Sequence, residues 1–246
     1  MRQTVTRSIA KQPARDGEED TVNTEVLLGA PLFSGLDPEA AAALSASMFE
    51  TRLRRGEVVF RQGDEGDRLY VVTEGKVKLG RTSADGRENL MAILGPGQMF
   101  GELSLFDPGP RSATATAVTD CTIHSLSHDE LGSWLDGRPE VARGLLNQLA
   151  GRLRRANDVV ADLVFSDVPG RVAKALLDLS QRFGRVADDG VHVHHDLTQE
   201  ELAQLVGASR ETVNKALADF ASRGWLRLEA RSVVLMDVER LTQRAR

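Results

Sequence analysis

L-T-Q-E-E-L-A-Q-L-V-G-A-S-R-E-T-V-N-K-A-L-A-D-F, residues 197–220, predicts two short helices joined by a tight turn. Thr198, with Glu201 three residues later, has the capping-box pattern that starts a helix. Gly207 ends that helix, because glycine adopts the left-handed conformation of a helix C-terminus at little cost. Ser209 caps the second helix. Apolar residues fall on one inner face of each helix: Leu202, Ala203, Leu205 and Val206, then Val213, Ala216, Leu217 and Phe220.

The early, outer face of the second helix is polar and carries Arg210, Glu211, Asn214 and Lys215. Two short helices turning on one glycine, with polar side chains at the start of the second, are typical of a DNA-reading helix–turn–helix. A plain helical hairpin is the alternative. Residues 225–235 alternate like a β-hairpin, which would form the wing of a winged helix.

Upstream, residues 57–126 have the pattern of an antiparallel β domain. Short runs rich in β-branched residues are separated by turn residues, and Asp85-Gly86 is a hairpin signal. Many short strands at this spacing favour a sandwich or a jelly-roll barrel.

Residues 100–114 of this region read F-G-E-L-S-L-F-D-P-G-P-R-S-A-T. Gly101 permits close backbone approach, and a helical turn after it would aim free amide groups at an anion. Glu102 can accept a hydrogen bond from a ribose hydroxyl. Arg111 offers a forked cation for a phosphate, and Ser112 adds a hydroxyl. This set suits a nucleotide monophosphate, although a surface loop with an ordinary ion pair is the alternative.

A long helix of roughly 25 residues is predicted after Pro139, well above the usual length of about 11 to 12. One stripe of this helix is apolar, with members at Val141, Leu145, Leu149, Leu153, Ala156, Val160 and Leu163. Such a stripe is most simply buried against an identical helix in a twofold dimer. Packing onto its own β domain is the alternative.

Composition places the 246-residue chain among soluble globular proteins, with 41% hydrophobic residues and a formal net charge of -5. No apolar run approaches the roughly 20 residues of a membrane span. The single cysteine, Cys121, excludes an internal disulfide and a cysteine-based metal cluster. We expect it to be a buried strand residue and the chain to be cytosolic.

Asp167-Val168-Pro169-Gly170 ends the long helix and marks a domain boundary. The sequence therefore predicts an α+β chain in four parts. These are a disordered tail at 1–24, a β-roll domain at 25–136, a dimerisation helix at 137–166 and a winged helix–turn–helix domain at 167–246.

With both functional segments in this order, the chain resembles the catabolite activator (cyclic AMP receptor protein, CRP/FNR) family over residues 32–241, its actinobacterial branch above all. The signatures that carry the resemblance are F-G-E-L-S-L-F at 100–106 with R-S at 111–112, D-V-P-G-R-V-A-K at 167–174 and V-G-A-S-R-E-T-V-N-K at 206–215.

The resemblance implies that the β roll binds cyclic AMP as the effector. Gly101 and the backbone of Leu103 and Ser104 would approach the ligand. Glu102 would hold the ribose 2′-hydroxyl, and Arg111 and Ser112 would hold the cyclic phosphate. Asn157, on the long helix, would bond the adenine amino group. Ala156 offers no hydrogen bond where relatives often place threonine, which leaves the choice between cyclic AMP and cyclic GMP open.

The resemblance also implies a homodimer that binds double-stranded DNA at TGTGA-type palindromes and works with RNA polymerase, with no membrane association. Arg210 would read a guanine, Glu211 a cytosine amino group and Lys215 a guanine or thymine. Ser209 and Asn214 complete the predicted DNA-binding set. The nucleotide would shift the population towards an arrangement in which both recognition helices fit successive major grooves.

Two other functions stay open. One is a regulator of the same fold with another effector or none. The other is a cyclic-nucleotide sensor attached to an enzyme or acting through protein partners, although no catalytic signature is present.

His192, His194 and His195 invite a metal hypothesis, and we favour a solvated strand instead. No catalytic or metal-binding residue is predicted.

Overall fold

The computed structural model of the chain describes residues 26, 30, 33, 36–107, 109–136 and 138–246. The predicted tail at 1–24 lies outside these residues. The described residues form two compact units, one up to Thr82 with Ile93–Gln148, the other made of Ser83–Ala92 and Leu149–Arg246.

The part before residue 136 is mainly β. Its elements are α1 (Pro38–Ser47), β1 (Phe49–Leu53), β2 (Val58–Phe60), β3 (Arg68–Glu74), β4 (Val77–Thr82), β5 (Glu88–Leu94), β6 (Met99–Phe100), α2 (Leu103–Phe106), β7 (Thr114–Ala117), β8 (Cys121–Ser127) and α3 (His128–Leu135). The strands form two four-stranded sheets, ordered β1-β8-β3-β6 and β2-β7-β4-β5. Strand β8 pairs antiparallel with β1 and β3, and β7 with β2 and β4. The predicted antiparallel β domain is confirmed.

The remaining elements are α4 (Pro139–Phe165), α5 (Val168–Phe183), β9 (Gly184–Ala187), β10 (Gly190–Val193), α6 (Gln199–Val206), α7 (Arg210–Ser222), β11 (Leu226–Glu229), β12 (Ser232–Leu235) and α8 (Val238–Arg244). Helices α6 and α7 pack on α5, and the strands form one sheet in the order β11-β12-β10-β9. A helix–turn–helix with a following wing hairpin is therefore present, as the sequence predicts.

The helix boundaries follow the local sequence signals. The Asp167 side chain accepts a hydrogen bond from the Gly170 amide at 2.9 Å and starts α5. Thr198 and Glu201 form the predicted capping box, and Gly207 takes the left-handed conformation with φ 69°. The four-part division of the chain stays a prediction, since the compact units divide inside α4, between Gln148 and Leu149.

The prediction that the apolar stripe of α4 packs against a second copy is wrong for the first turns of the helix. Val141 and Leu145 are buried in the core of the β unit, together with Leu44, Leu69, Val71, Met99, Leu126 and Leu131. The alternative interpretation, packing onto the chain's own β domain, is therefore right for this end of the helix. The exposed large apolar residues of α4 begin at the very next residue, Leu146.

The remaining cysteine and histidine predictions have mixed outcomes. Cys121 is a buried strand residue, as predicted, and burial raises the pKa of its thiol to about 11. His194 is exposed, but His195 is buried and accepts the Leu197 amide at Nδ1, so the solvated-strand interpretation is wrong for His195. No group of three metal-ligating side chains occurs within the described residues. No helix of the same residues is long and apolar enough to span a bilayer.

His124 makes the stability of the β unit depend on pH. The ring is buried in β8, where Nδ1 lies 3.1 Å from the Thr73 hydroxyl. Burial lowers the pKa of His124, and Glu50 and Glu74 only partly oppose this effect. The unfolded chain therefore binds a proton that the folded chain excludes. We expect the free energy of unfolding to fall as pH drops below about 6.5, by up to about 1.4 kcal/mol per pH unit from this group.

Urea unfolding of the native chain and of His124→Gln between pH 7 and pH 5 measures this effect. The variant should lose less stability over that range, because glutamine takes up no proton. Parallel pH profiles for the two proteins would contradict the assignment.

Candidate functional site

The guanidinium of Arg111 lies at the centre of the predicted ligand segment. Only 4% of the residue is exposed. Its Nη1 donates to the carbonyl of Gly101 at 2.7 Å and to the Ser104 hydroxyl at 3.0 Å, and its Nη2 donates to the carbonyl of Arg68 at 2.8 Å. All three acceptors are neutral, so these bonds fix the head group without cancelling its charge. Nε is buried and has no hydrogen-bond partner among the described residues.

Aromatic rings line one side of this guanidinium. The Arg111 head group lies 4.3 Å from the ring centre of Phe60 and 5.7 Å from that of Tyr70. Phe100 stacks on Tyr70 at 5.1 Å. Burial lowers the pKa of Arg111, while the neighbouring Tyr70 and the carboxylates of Asp67 and Glu102 oppose the shift. A guanidinium nevertheless stays protonated in proteins, so the site holds a buried positive charge.

Two glycines make room for Arg111. Gly101 has φ 81°, and a Cβ there would meet Arg111 Nη1 at 2.8 Å and the Arg68 carbonyl at 3.0 Å. A Cβ on Gly66 would lie 2.9 Å from Arg111 Nε. The sequence pattern identified Gly101, but it indicated Gly66 only as a turn residue. The long-range partners Arg68, Tyr70 and Phe60 gave no local signal at all.

The structure brings together part of the predicted ligand set. Glu102 is fully buried at the start of α2 and is close enough to influence the pKa of Arg111. Ser104 contacts Arg111 directly, whereas Leu103 and Ser112 have exposed side chains. Protein groups already accept hydrogen bonds from three of the five N–H groups of Arg111. Its Nε–H has no hydrogen-bond partner among the described residues.

Helix α7 presents the predicted DNA-reading residues. Arg210, Glu211 and Lys215 are exposed in its first two turns. Asn214 is half-buried. The Ser209 hydroxyl accepts the Thr212 amide at 3.2 Å, so its observed role is to cap the helix.

Gln199, at the start of α6, was not predicted as a site residue. Its Oε1 accepts hydrogen bonds from Arg210 Nη2 at 3.3 Å and from Asn214 Nδ2 at 3.2 Å. A glutamine after a capping threonine carries no functional signal in sequence.

Arg171 is a second residue to which the sequence analysis gave no role of its own. From α5 it donates to the carbonyls of Val206 at 3.1 Å and Gly207 at 3.3 Å, in the turn between α6 and α7. It also donates to Ser166 O at 2.8 Å, beyond the end of α4. One guanidinium thus joins the helix–turn–helix to the end of the long helix.

The exposed side of α4 continues the apolar stripe. Exposed fractions are 66% for Leu146, 64% for Leu153, 61% for Val160 and 52% for Leu163. With half-buried Leu149 and exposed Ala156, these positions alternate in steps of three and four. That is the seam spacing of a two-stranded coiled coil.

Comparisons with known proteins identify the two domains. Residues 50–137 match the family model of the cyclic nucleotide-binding domain, and residues 170–244 match that of the Crp-like helix-turn-helix domain. The chain is 58% identical to the CRP-like cAMP-activated global transcriptional regulator of Mycobacterium tuberculosis, over 90% of this chain and 99% of that protein. The chain belongs to the CRP/FNR family.

Two further proteins are similar to most of this chain. The cyclic AMP receptor protein of Thermus thermophilus is 41% identical over 85% of this chain and 96% of that protein. The solved structure of the c-di-GMP responsive global regulator CLP of Xanthomonas campestris is 28% identical, with a TM-score of 0.71, over 81% of this chain and 99% of that one. This CRP/FNR chain is thus a DNA-binding transcription regulator with a cyclic nucleotide-binding domain, and its family is not one of enzymes.

Asn157 and Ala156 lie on the exposed side of α4, in the second compact unit. The roles of the individual residues in binding nucleotide and DNA stay predictions.

Proposed function

We propose that the chain is a homodimeric regulator that binds cyclic AMP in its β unit and TGTGA-type palindromes through α7. The observation that carries the ligand half is the buried Arg111 guanidinium, whose hydrogen-bond acceptors are all neutral. Removing a cation from water costs several kcal/mol unless an opposite charge compensates. Asp67 and Glu102 supply part of that charge, and a small anion bound directly to the guanidinium would supply the rest.

The residues present fit a cyclic phosphate. The unpaired Nε–H of Arg111, together with the neighbouring Nη2, would donate to two oxygens of one phosphate, and the Arg111 fork is already fixed by Gly101, Ser104 and Arg68. Glu102 would hold the ribose hydroxyl. Backbone groups of Gly101, Leu103 and Ser104 and the Ser112 hydroxyl would complete the phosphate contacts. Asn157 would bond the adenine, as the family resemblance implies.

The descriptions of the most similar proteins favour cyclic AMP over other nucleotides as the ligand. The Mycobacterium tuberculosis protein, 58% identical, is described as cAMP-activated. The more distant Xanthomonas campestris protein is described as c-di-GMP responsive. Titration calorimetry of the full chain with cyclic AMP, cyclic GMP and cyclic di-GMP separates these effectors. Binding of cyclic AMP alone supports the proposal, and no heat with cyclic AMP would overturn it.

The dimer would form through the exposed stripe of α4. A row of large apolar side chains more than half exposed is costly in water, and a second copy of the same helix would cover it. Twofold pairing also places two α7 helices so that they can read the two halves of a palindrome. A role with RNA polymerase and a cytosolic location follow from the resemblance alone and stay predictions.

Cyclic AMP would act by a population shift. It would favour the dimer arrangement in which both α7 helices fit DNA, because only a ligand with different affinities for two arrangements can change their ratio. Arg171, which bonds both the end of α4 and the α6–α7 turn, is well placed to keep α7 in a fixed orientation to α4 within the second unit.

Arg210→Ala tests the DNA half. Arg210 is exposed in the first turn of α7 and would make a bidentate contact to a guanine in each half-site. Each such contact contributes about 1–3 kcal/mol of discrimination, so two half-sites predict a loss of at least about 30-fold. Gel shifts with a TGTGA palindrome and saturating cyclic AMP measure this loss.

Arg223→Ala is the matched control, since Arg223 lies beyond the last turn of the same helix and pairs with Asp219. It should bind the palindrome like the native chain. Undiminished binding by Arg210→Ala would show that α7 does not read the site through this residue.

A further inference from the structure

Gln199 lies between the two helices of the helix–turn–helix. It is the first residue of α6, and its side-chain carbonyl accepts hydrogen bonds from both Arg210 and Asn214. Arg210 and Asn214 are four residues apart on α7 and therefore share one face of that helix. One neutral oxygen from α6 thus links two of the side chains that the proposed function assigns to DNA.

The contact restrains a side chain that would otherwise move freely. An exposed arginine loses rotamer entropy when it binds a base. Fixing its position beforehand reduces that loss, which is the general benefit of preorganisation. Gln199 engages one N–H of Arg210 Nη2. The second Nη2–H and both Nη1–H bonds stay available for a guanine.

Asn214 supplies a second, independent observation. Its Oδ1 is buried and accepts no hydrogen bond among the described residues, while its Nδ2 donates to Gln199 at 3.2 Å. The orientation of this amide thus depends on Gln199. The Asn214 amide has little freedom to rotate while its Nδ2 donates to the side-chain carbonyl of Gln199.

We infer that Gln199 is a positioning residue for sequence reading, which holds Arg210 and Asn214 in the orientation that recognises bases. The inference rests on the proposed function of α7. The inference depends on the Gln199 side chain being uncharged. A carboxamide restrains Arg210 weakly enough that DNA can still bind it. A carboxylate in the same place would form a charge-assisted bond and hold Arg210 away from DNA.

The test compares the affinities of each variant for several duplexes. Fluorescence anisotropy with saturating cyclic AMP is measured on the TGTGA palindrome and on palindromes with each half-site base pair replaced in turn. For Gln199→Ala we expect about a five- to tenfold loss on the native palindrome and less than about a twofold change on the palindrome that lacks the guanine read by Arg210. Gln199→Glu should lose more than Gln199→Ala on the native palindrome.

Three controls make the result specific. Gln204→Ala removes a glutamine from the same helix and should leave all affinities unchanged. In an Arg210→Ala background, Gln199→Ala should cause a much smaller further loss of DNA affinity than it causes in the native chain, because the two residues act as a unit. The ratio of affinities within one preparation is independent of the fraction of folded protein.

Equal weakening of Gln199→Ala on every duplex would overturn the inference, because it would indicate a phosphate contact or local misfolding. Additive losses in the double variant would overturn it as well. A native chain that does not distinguish the duplexes, or an Arg210→Ala variant that distinguishes them normally, would instead refute the proposed function of α7.

Discussion

Arg111→Leu is expected to weaken cyclic AMP binding by at least about 100-fold. Leucine removes the buried positive charge together with the N–H groups that would bind the phosphate. Charge-assisted hydrogen bonds contribute about 1.5–3 kcal/mol each, and about 2.7 kcal/mol corresponds to 100-fold in affinity. Titration calorimetry of the native chain and the variant measures the loss directly.

Arg111→Lys separates charge from geometry. Lysine keeps the positive charge but lacks the planar fork that fits two phosphate oxygens and two backbone carbonyls at once. We expect its affinity to lie between those of the native chain and Arg111→Leu. Arg81→Leu, at an exposed position of β4, is the matched control and should bind cyclic AMP normally.

Arg111→Leu also leaves the carbonyls of Gly101 and Arg68 without this donor, so the β unit should lose thermal stability. Binding of non-specific DNA shows that the other unit is folded, and thermal unfolding of the variant shows whether the β unit is folded at the temperature of the titration. Native-like heat of cyclic AMP binding by folded Arg111→Leu would refute the ligand assignment.

The second large effect is expected from Leu153→Asp, which should convert the dimer into a monomer at micromolar concentration. Leu153 is 64% exposed at a seam position of α4, so the substitution leaves the core of a single chain intact. In a twofold dimer, by contrast, it would bury two carboxylates against each other, and burying unpaired charge is strongly unfavourable. Analytical ultracentrifugation measures the mass.

Arg154→Asp serves as its control. Arg154 is the next residue of the same helix and is exposed, but it lies outside the seam spacing. This variant should remain a dimer and bind the palindrome normally. Leu153→Asp should lose at least about 100-fold in palindrome affinity, because one chain contacts a single half-site. A stable dimer of Leu153→Asp would show that this stripe of α4 is not the interface.

Local signals in the sequence predicted much of the second unit correctly. The Thr198–Glu201 capping box, the left-handed Gly207 and the cap at Ser209 each depend on residues within about one helical turn. Such short-range preferences are nearly independent of the rest of the fold. Within the apolar faces, only Leu205 is less buried than the pattern predicts.

The stripe on α4 shows where periodicity stops being informative. Val141, Leu145 and Leu153 all fit one helical face in sequence, yet the first two lie in the β core and the third is exposed. Periodicity identifies the apolar face of a helix, but not what each part of that face contacts. Val141 and Leu145 lie in the β core, whereas Leu153 does not, and the sequence pattern does not distinguish them.

The sequence by itself determined where α6 and α7 begin, the β domain and the wing hairpin, and it singled out Arg111 and the polar face of α7 as candidate site residues. Only the tertiary structure decided that Arg111 is held by the backbone carbonyl of Arg68, 43 residues away, and that Gln199 bonds Arg210 and Asn214 across the turn. The physical reason is range. Caps and turns are set by neighbouring backbone groups, whereas the surroundings of a buried charge depend on strands and helices that meet only after the chain has folded.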